Sequence, residues 1–187
     1  LDKLINTSGE SGLCFRPLSP GLESGASIIW KRYQVLSKAA EKFLQTLRNA
    51  YDNSILYTDF FLSETIQYLR GLRGTSSALL YCADHGEDIL DDRRERFLHA
   101  SPTTTAYQLY VASLAWFSDA YRQNFPDKAA AAEANATVPA TTHALFHTMA
   151  DMASIRGNYI DTGVSLVNAG YDRTRPRRYL NDHNEAV

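Results

Sequence analysis

Two cysteines and two methionines in 187 residues leave little material for a disulfide framework or a cysteine-built metal cluster. No stretch approaches the roughly 20 consecutive apolar residues that a membrane-crossing helix requires. The formal net charge of -2 leaves no concentrated basic face, which argues against nucleic acid as the main partner. The chain opens Leu1-Asp2-Lys3, with neither a methionine nor a basic-then-apolar leader, and is expected to be a fragment or a trimmed chain. What remains, 44% hydrophobic and 21% charged side chains, is ordinary globular composition, enough for one domain with a core. Cys82 falls in an apolar run and reads as a small apolar side chain, with a disulfide to Cys14 left open.

Residues 1–27 are rich in Gly, Ser and Pro and read as an irregular or divergent segment, with the domain proper over 28–187. Ile29, Tyr33, Leu36, Ala40, Phe43, Leu44 and Leu47 recur at three and four residues, predicting a helix over 28–50. Asp52-Asn53-Ser54 marks a break, followed by a second helix to about Leu69. Ser76–Ala83 is predicted to be a buried strand, and 84–105 a long polar loop. A second buried strand is expected over 109–117, with Thr103, Thr104 and Thr105 at its approach. Helices are expected from Ser118 to Phe125, over 128–136, and from Thr141 to Met152, before a basic tail at 173–178. Helices alternating with a few strands make an α/β arrangement.

The chemistry concentrates where the run Ala78-Leu79-Leu80-Tyr81-Cys82 ends in Asp84-His85-Gly86-Glu87. Open α/β sheets bind ligands in the crevice beyond their strand ends. A carboxylate beside an imidazole is a matched pair for zinc, and Gly86 lets the backbone turn tightly there. Glu87 reads either as a group that orients His85 or as a helix-start carboxylate. Arg93, Arg94 and Arg96 alternate with Asp91, Asp92 and Glu95, the pattern of a solvated, self-neutralising loop rather than a phosphate clamp. His143 and His147 stand one helical turn apart with no glutamate between them, so capping or packing is expected of both.

Three blocks carry a resemblance. They are Tyr81-x-x-Asp84-His85-Gly86-Glu87 with the later His99-Ala100-Ser101-Pro102, the segment Tyr51–Asp59, and the segment Leu145–Ile155. In this order they resemble the catalytic domain of the sulfatase-like phosphoethanolamine transferases, membrane-anchored bacterial enzymes of the alkaline phosphatase superfamily. The resemblance implies part of a three-layer α/β/α sandwich. It implies zinc as cofactor, with Asp84 and His85 as metal ligands. His99 matches the histidine that helps hold the phosphoryl group or a second metal, a catalytic position. It further implies phosphoethanolamine transfer from phosphatidylethanolamine to a lipid or glycan acceptor at the periplasmic face of the inner membrane, with membrane contact through segments absent from this chain. The family's threonine nucleophile and first acidic ligand lie upstream of the Asp-His-Gly-Glu strand, in a part this chain does not contain. Residues 7–35 hold no counterpart of the family's Gly-Ser-His motif, and Ala83 stands where serine is common. Two alternatives stay open: a sulfatase or phosphodiesterase-type hydrolase of the same superfamily, and a non-catalytic remnant or interaction domain.

Overall fold

The computed structural model describes residues 37–91, 96–99, 104–180 and 185–187. The expectations for 1–36, including Cys14, and for Asp92–Glu95, Ala100–Thr103 and His183 lie outside the described residues. Helix α1 runs unbroken from Lys38 to Gly71, capped by Ser37, whose side chain accepts from the Ala40 N–H. The expected break at Asp52-Asn53-Ser54 does not occur. Ser54 Oγ instead donates to the Tyr51 carbonyl (2.7 Å), and Thr58 Oγ1 donates to the Ser54 carbonyl (3.0 Å). Hydroxyls that bond back to the preceding turn satisfy themselves inside a helix rather than capping a new one.

Strand β1 (Ala78–Cys82) pairs antiparallel with β4 (Ser113–Phe117), Leu80 opposite Ala115. The expected second buried strand is therefore shorter than 109–117, and only Phe117 within it is buried. Its first residues belong elsewhere: Thr105 accepts from the Gln108 N–H and caps a short helix, α2 (Ala106–Leu109). Ser118 caps α3 (Asp119–Asn124), Pro126 opens α4 (Pro126–Asn135), and α5 spans Ala144–Met152. Proline suits a first helical turn because the amide hydrogen it lacks has no partner there anyway. A single 3-10 turn, Thr162–Val164, follows. Among the described residues no helix is long and apolar enough to cross a membrane.

The core gathers Phe117, Tyr121, Ala129, Met152 and Val167, with Ala78, Leu80, Phe125 and Ala132 packed against it. Tyr121 is its hub, stacked on Phe117 (4.9 Å between rings) and tilted against Phe125 (4.8 Å). Its hydroxyl donates to the Met152 carbonyl at 2.7 Å, tying α3 to the end of α5. The 162–168 segment is held by side chains: Leu166 N–H donates to Thr148 Oγ1, and Asn135 Nδ2 to the Leu166 and Asn168 carbonyls. His147 is buried and accepts from the Asp161 N–H (3.0 Å), a packing role.

The described residues of 84–105, expected to be a polar loop, include two short paired strands. Beyond β1, Gly86 N–H donates to the Gln108 carbonyl (2.9 Å), and the chain then forms a hairpin of β2 (Asp88–Ile89) and β3 (Phe97–Leu98). Arg48 from α1 donates to the Ile89 and Leu90 carbonyls at 3.1 and 3.0 Å. Asp88 is 3% exposed and accepts from Thr105 Oγ1 (2.9 and 3.0 Å to its two oxygens) and from Gln108 Nε2. Leu90, just past β2, and Leu98, the last residue of β3, adopt left-handed backbone, φ 69° and 70°. L-residues hold that conformation only when surroundings impose it.

Two outcomes follow from this packing. Burial, and then the Asp151 carboxylate, push the Tyr121 phenol up to about 12. A fold that favours the neutral phenol keeps its full contribution below the ordinary value of about 10 and loses it as pH rises from there. Urea unfolding of the wild type is expected to show stability falling between about pH 10 and about 12. Tyr121→Phe is expected to flatten that decline while costing about 1 kcal/mol at neutral pH through the lost hydrogen bond. At Gly86 an added Cβ would stand 1.9 Å from the Tyr107 carbonyl oxygen, a backbone atom that cannot swing aside. Gly86→Ala is expected to cost about 1–3 kcal/mol, at roughly 2–4 °C of Tm for each kcal/mol, read by thermal unfolding.

Candidate functional site

Asp84, His85, Gly86 and Glu87 leave the end of β1, and the β2–β3 hairpin carries the chain back so that His99 returns to them. The two sheet pairs, Asp88 with Leu98 and Ile89 with Phe97, set that return. His99 Nδ1 lies 2.7 Å from Glu87 Oε1, and the His85 and His99 rings are 3.9 Å apart, tilted by 39°. One potential ligand atom each from His85, Glu87 and His99 falls within 4.8 Å of the others, so these three side chains could hold a metal ion. His85 Nδ1 lies 3.0 Å from the Gly86 carbonyl and 3.8 Å from Glu87 Oε1.

Glu87 carries the feature that points to a missing partner. Its Oε1 meets His99, whereas Oε2 is buried with no hydrogen-bond partner among the described residues. Among the described residues Asp151 Oδ2 and Ser165 Oγ are also buried without hydrogen-bond partners, but Asp151 belongs to no such metal-capable cluster. A buried carboxylate oxygen left unpaired is costly. Two nitrogens and one carboxylate oxygen are a donor set that a divalent cation would satisfy.

Asp84 sits on the outer side, its side chain 89% exposed, with Oδ2 3.6 Å from His85 Nε2. Its Oδ1 accepts from the His85 N–H (3.0 Å). That backbone bond first, then its own N–H and the His85 ring, hold the Asp84 carboxyl below its ordinary range. Cys82 carries a free thiol that donates to the Ala83 carbonyl (3.2 Å). Burial, followed by the Asp84 charge, pushes the thiol up, which keeps it protonated and poorly nucleophilic.

The structure thus brings His85 and His99 together and leaves Asp84 at the rim. Glu87, which the sequence leaves open between two readings, precedes a strand rather than a helix, and its Oε1 faces Nδ1 of both histidines. Asp88, Thr105 and Gln108 were not singled out for the site. Thr105-x-x-Gln108 has the spacing of a helix-capping box, which was the available signal. Here, however, the Gln108 side chain reaches Asp88 instead of the cap residue's own N–H.

The Sulfatase family model matches residues 26–155. The Kdo(2)-lipid A phosphoethanolamine 7''-transferase of Escherichia coli is 40% identical over 78 residues, covering 41% of this chain and 13% of that protein. Phosphoethanolamine transferase EptA of Salmonella typhimurium is 29% identical over 119 residues, covering 62% of this chain and 21% of that protein. The crystal structure of the C-terminal periplasmic domain of phosphoethanolamine transferase EptC from Campylobacter jejuni superposes with a TM-score of 0.57 at 27% identity. That match covers 67% of this chain and 39% of the other. The chain spans about a fifth or less of the length of these curated relatives. A family match over well more than half of the sequence, joined to a mixed helix-and-strand fold of the same kind, places this chain in the sulfatase family.

Proposed function

We propose that residues 84–99 form part of a zinc centre that handles a phosphoryl group. In the complete protein this centre would serve transfer of phosphoethanolamine from phosphatidylethanolamine to a lipid or glycan acceptor. The orphaned, buried Oε2 of Glu87 beside His85 and His99 carries the reading. In this reading Asp84 and His85 are metal ligands and Glu87 is the third of the three that a catalytic zinc site normally has, while His99, also within reach of an ion at His85 and Glu87, is kept for the phosphoryl group. Two ligands bound at ordinary zinc distances on a tetrahedral ion stand about 3.4 Å apart. The 3.6 Å between Asp84 Oδ2 and His85 Nε2 is close to that spacing. Bound here, zinc would polarise a phosphoryl oxygen and make an attacking oxygen easier to deprotonate.

His99 takes the catalytic part. A hydrogen bond from its Nδ1 to Glu87 Oε1 fixes the tautomer that leaves Nε2 free to accept from, or when protonated donate to, a phosphoryl oxygen. Asp84, exposed at the rim and held anionic by backbone amides, closes the solvent side. The attacking threonine and a further acidic ligand belong to segments of the complete protein that this chain does not include. The relatives' printed activities, phosphoethanolamine transfer among them to Kdo(2)-lipid A, support this substrate class over sulfate esters. The same reading locates the complete protein at the periplasmic face of the bacterial inner membrane.

Elemental analysis of the dialysed chain tests the centre. About one zinc per chain is expected, from the three-ligand set, and it should be lost in Asp84→Ala, His85→Ala and Glu87→Ala. His99→Ala is expected to retain zinc but to lose the phosphorus-31 line broadening of phosphoethanolamine that the loaded wild type produces. A loaded chain that binds sulfate esters and not phosphoethanolamine would favour the hydrolase reading. A folded chain that takes up no zinc would leave a non-catalytic interaction domain.

A further inference from the structure

We propose that Asp88, clamped by Thr105 and Gln108, is the positioning residue that sets the distance between Glu87 and His99, although it touches neither metal nor substrate itself. The inference rests on the metal-centre reading above and assigns what holds that centre in place. Asp88 is joined to Glu87 by one peptide bond, and its strand partner is Leu98, the residue immediately before His99. One side chain therefore sits at the root of both functional groups.

The hairpin cannot hold this register alone. Strands β2 and β3 have two residues each, and short isolated pairs are marginal in water. Leu98 enters His99 through left-handed backbone, so an external restraint must keep it there. Arg48 supplies part of that restraint through the Ile89 and Leu90 carbonyls, on the side away from Glu87. On the near side the restraint is the Asp88 carboxyl group. It accepts from Thr105 Oγ1 through both oxygens and from Gln108 Nε2 through one of them.

All three partners are buried. Helix α2 presents Thr105 as its cap and Gln108 three residues on, so one turn of helix delivers both donors to a single carboxyl group. Gly86 N–H to the Gln108 carbonyl ties the opposite side of Glu87 to that turn. Glu87 is thereby fixed from both flanking residues, and neither restraint occupies its own oxygens. That leaves Oε1 for His99 and Oε2 for the ion.

The test compares Thr105→Val, which deletes one hydroxyl at nearly constant shape, with Asp88→Ala and the conservative Thr105→Ser. Zinc affinity is measured by chelator competition, and the His99 Nδ1 hydrogen bond by nitrogen-15 NMR of the metal-free protein. Thr105→Val and Asp88→Ala are expected to weaken zinc binding about 10- to 100-fold, the usual effect of removing a supporting partner. Both should lose the hydrogen-bonded His99 Nδ1 signal, and Thr105→Ser should restore both readouts. In an Asp88→Ala background, Thr105→Val is expected to have no further effect on zinc, since its route runs through the Asp88 carboxyl group. Unchanged affinity and an unchanged His99 signal in folded Thr105→Val would overturn the proposal. So would a further, equal loss of zinc affinity when Thr105→Val is added to Asp88→Ala, which marks general destabilisation. A wild type that binds no zinc sinks the metal reading alone, and the metal-free His99 signal then decides the positioning role.

Discussion

Between Gly86 and the backbone of Tyr107 and Gln108 there is no room for a side chain. The amide of Gly86 donates to Gln108, and the space where a Cβ would stand is filled by the Tyr107 carbonyl. This approach forces the chain leaving β1 to lie against the turn that begins α2. Once it does, Asp88 falls within reach of Thr105 and Gln108, and the hairpin that follows is aimed so that His99 meets Glu87. Removing that approach would leave two exposed histidines on an unsupported loop.

Electrostatics and packing divide the labour in the site. Asp84 at the rim owes its lowered pKa first to backbone amides and then to the His85 ring, which together outweigh desolvation. Glu87 is mostly withdrawn from water, and its Oε2, unpartnered among the described residues, is where the proposed cation would bind. Behind them Cys82 stays a protonated thiol on β1, leaving oxygen and nitrogen as the natural donors. The Phe117–Tyr121–Met152 core anchors the far end of β4, and β4 pairs with β1. The packed core thereby fixes the strand from which the site residues emerge.

Asp84, His85 and His99 could be proposed from sequence because the chemistry sits in residue types; the structure brings His85 and His99 together and leaves Asp84 exposed. The α/β character, the strand at 78–82, the Ser118 cap and the Pro126 boundary were legible for local reasons. What sequence alone misjudged involved competition between local options. Asp52-Asn53-Ser54 looks like a helix stop until hydroxyl groups find carbonyls in the preceding turn. Thr105 looks like the approach to a strand until its hydroxyl both caps a helix and holds Asp88. Asp88 was hidden for a related reason: in a run of acids and arginines, nothing local distinguishes the one carboxyl group that tertiary contacts bury.

The central claim is that the cluster at the end of β1 is a metal centre built from oxygen and nitrogen donors of residues 84–99. Zinc-edge X-ray absorption on the zinc-loaded chain tests it most directly. A first shell of nitrogen and oxygen atoms at about 2.0–2.2 Å, with the multiple-scattering signature of imidazole, is the expected result. A shell containing sulfur at about 2.3 Å, or one of water oxygens without imidazole, would contradict it.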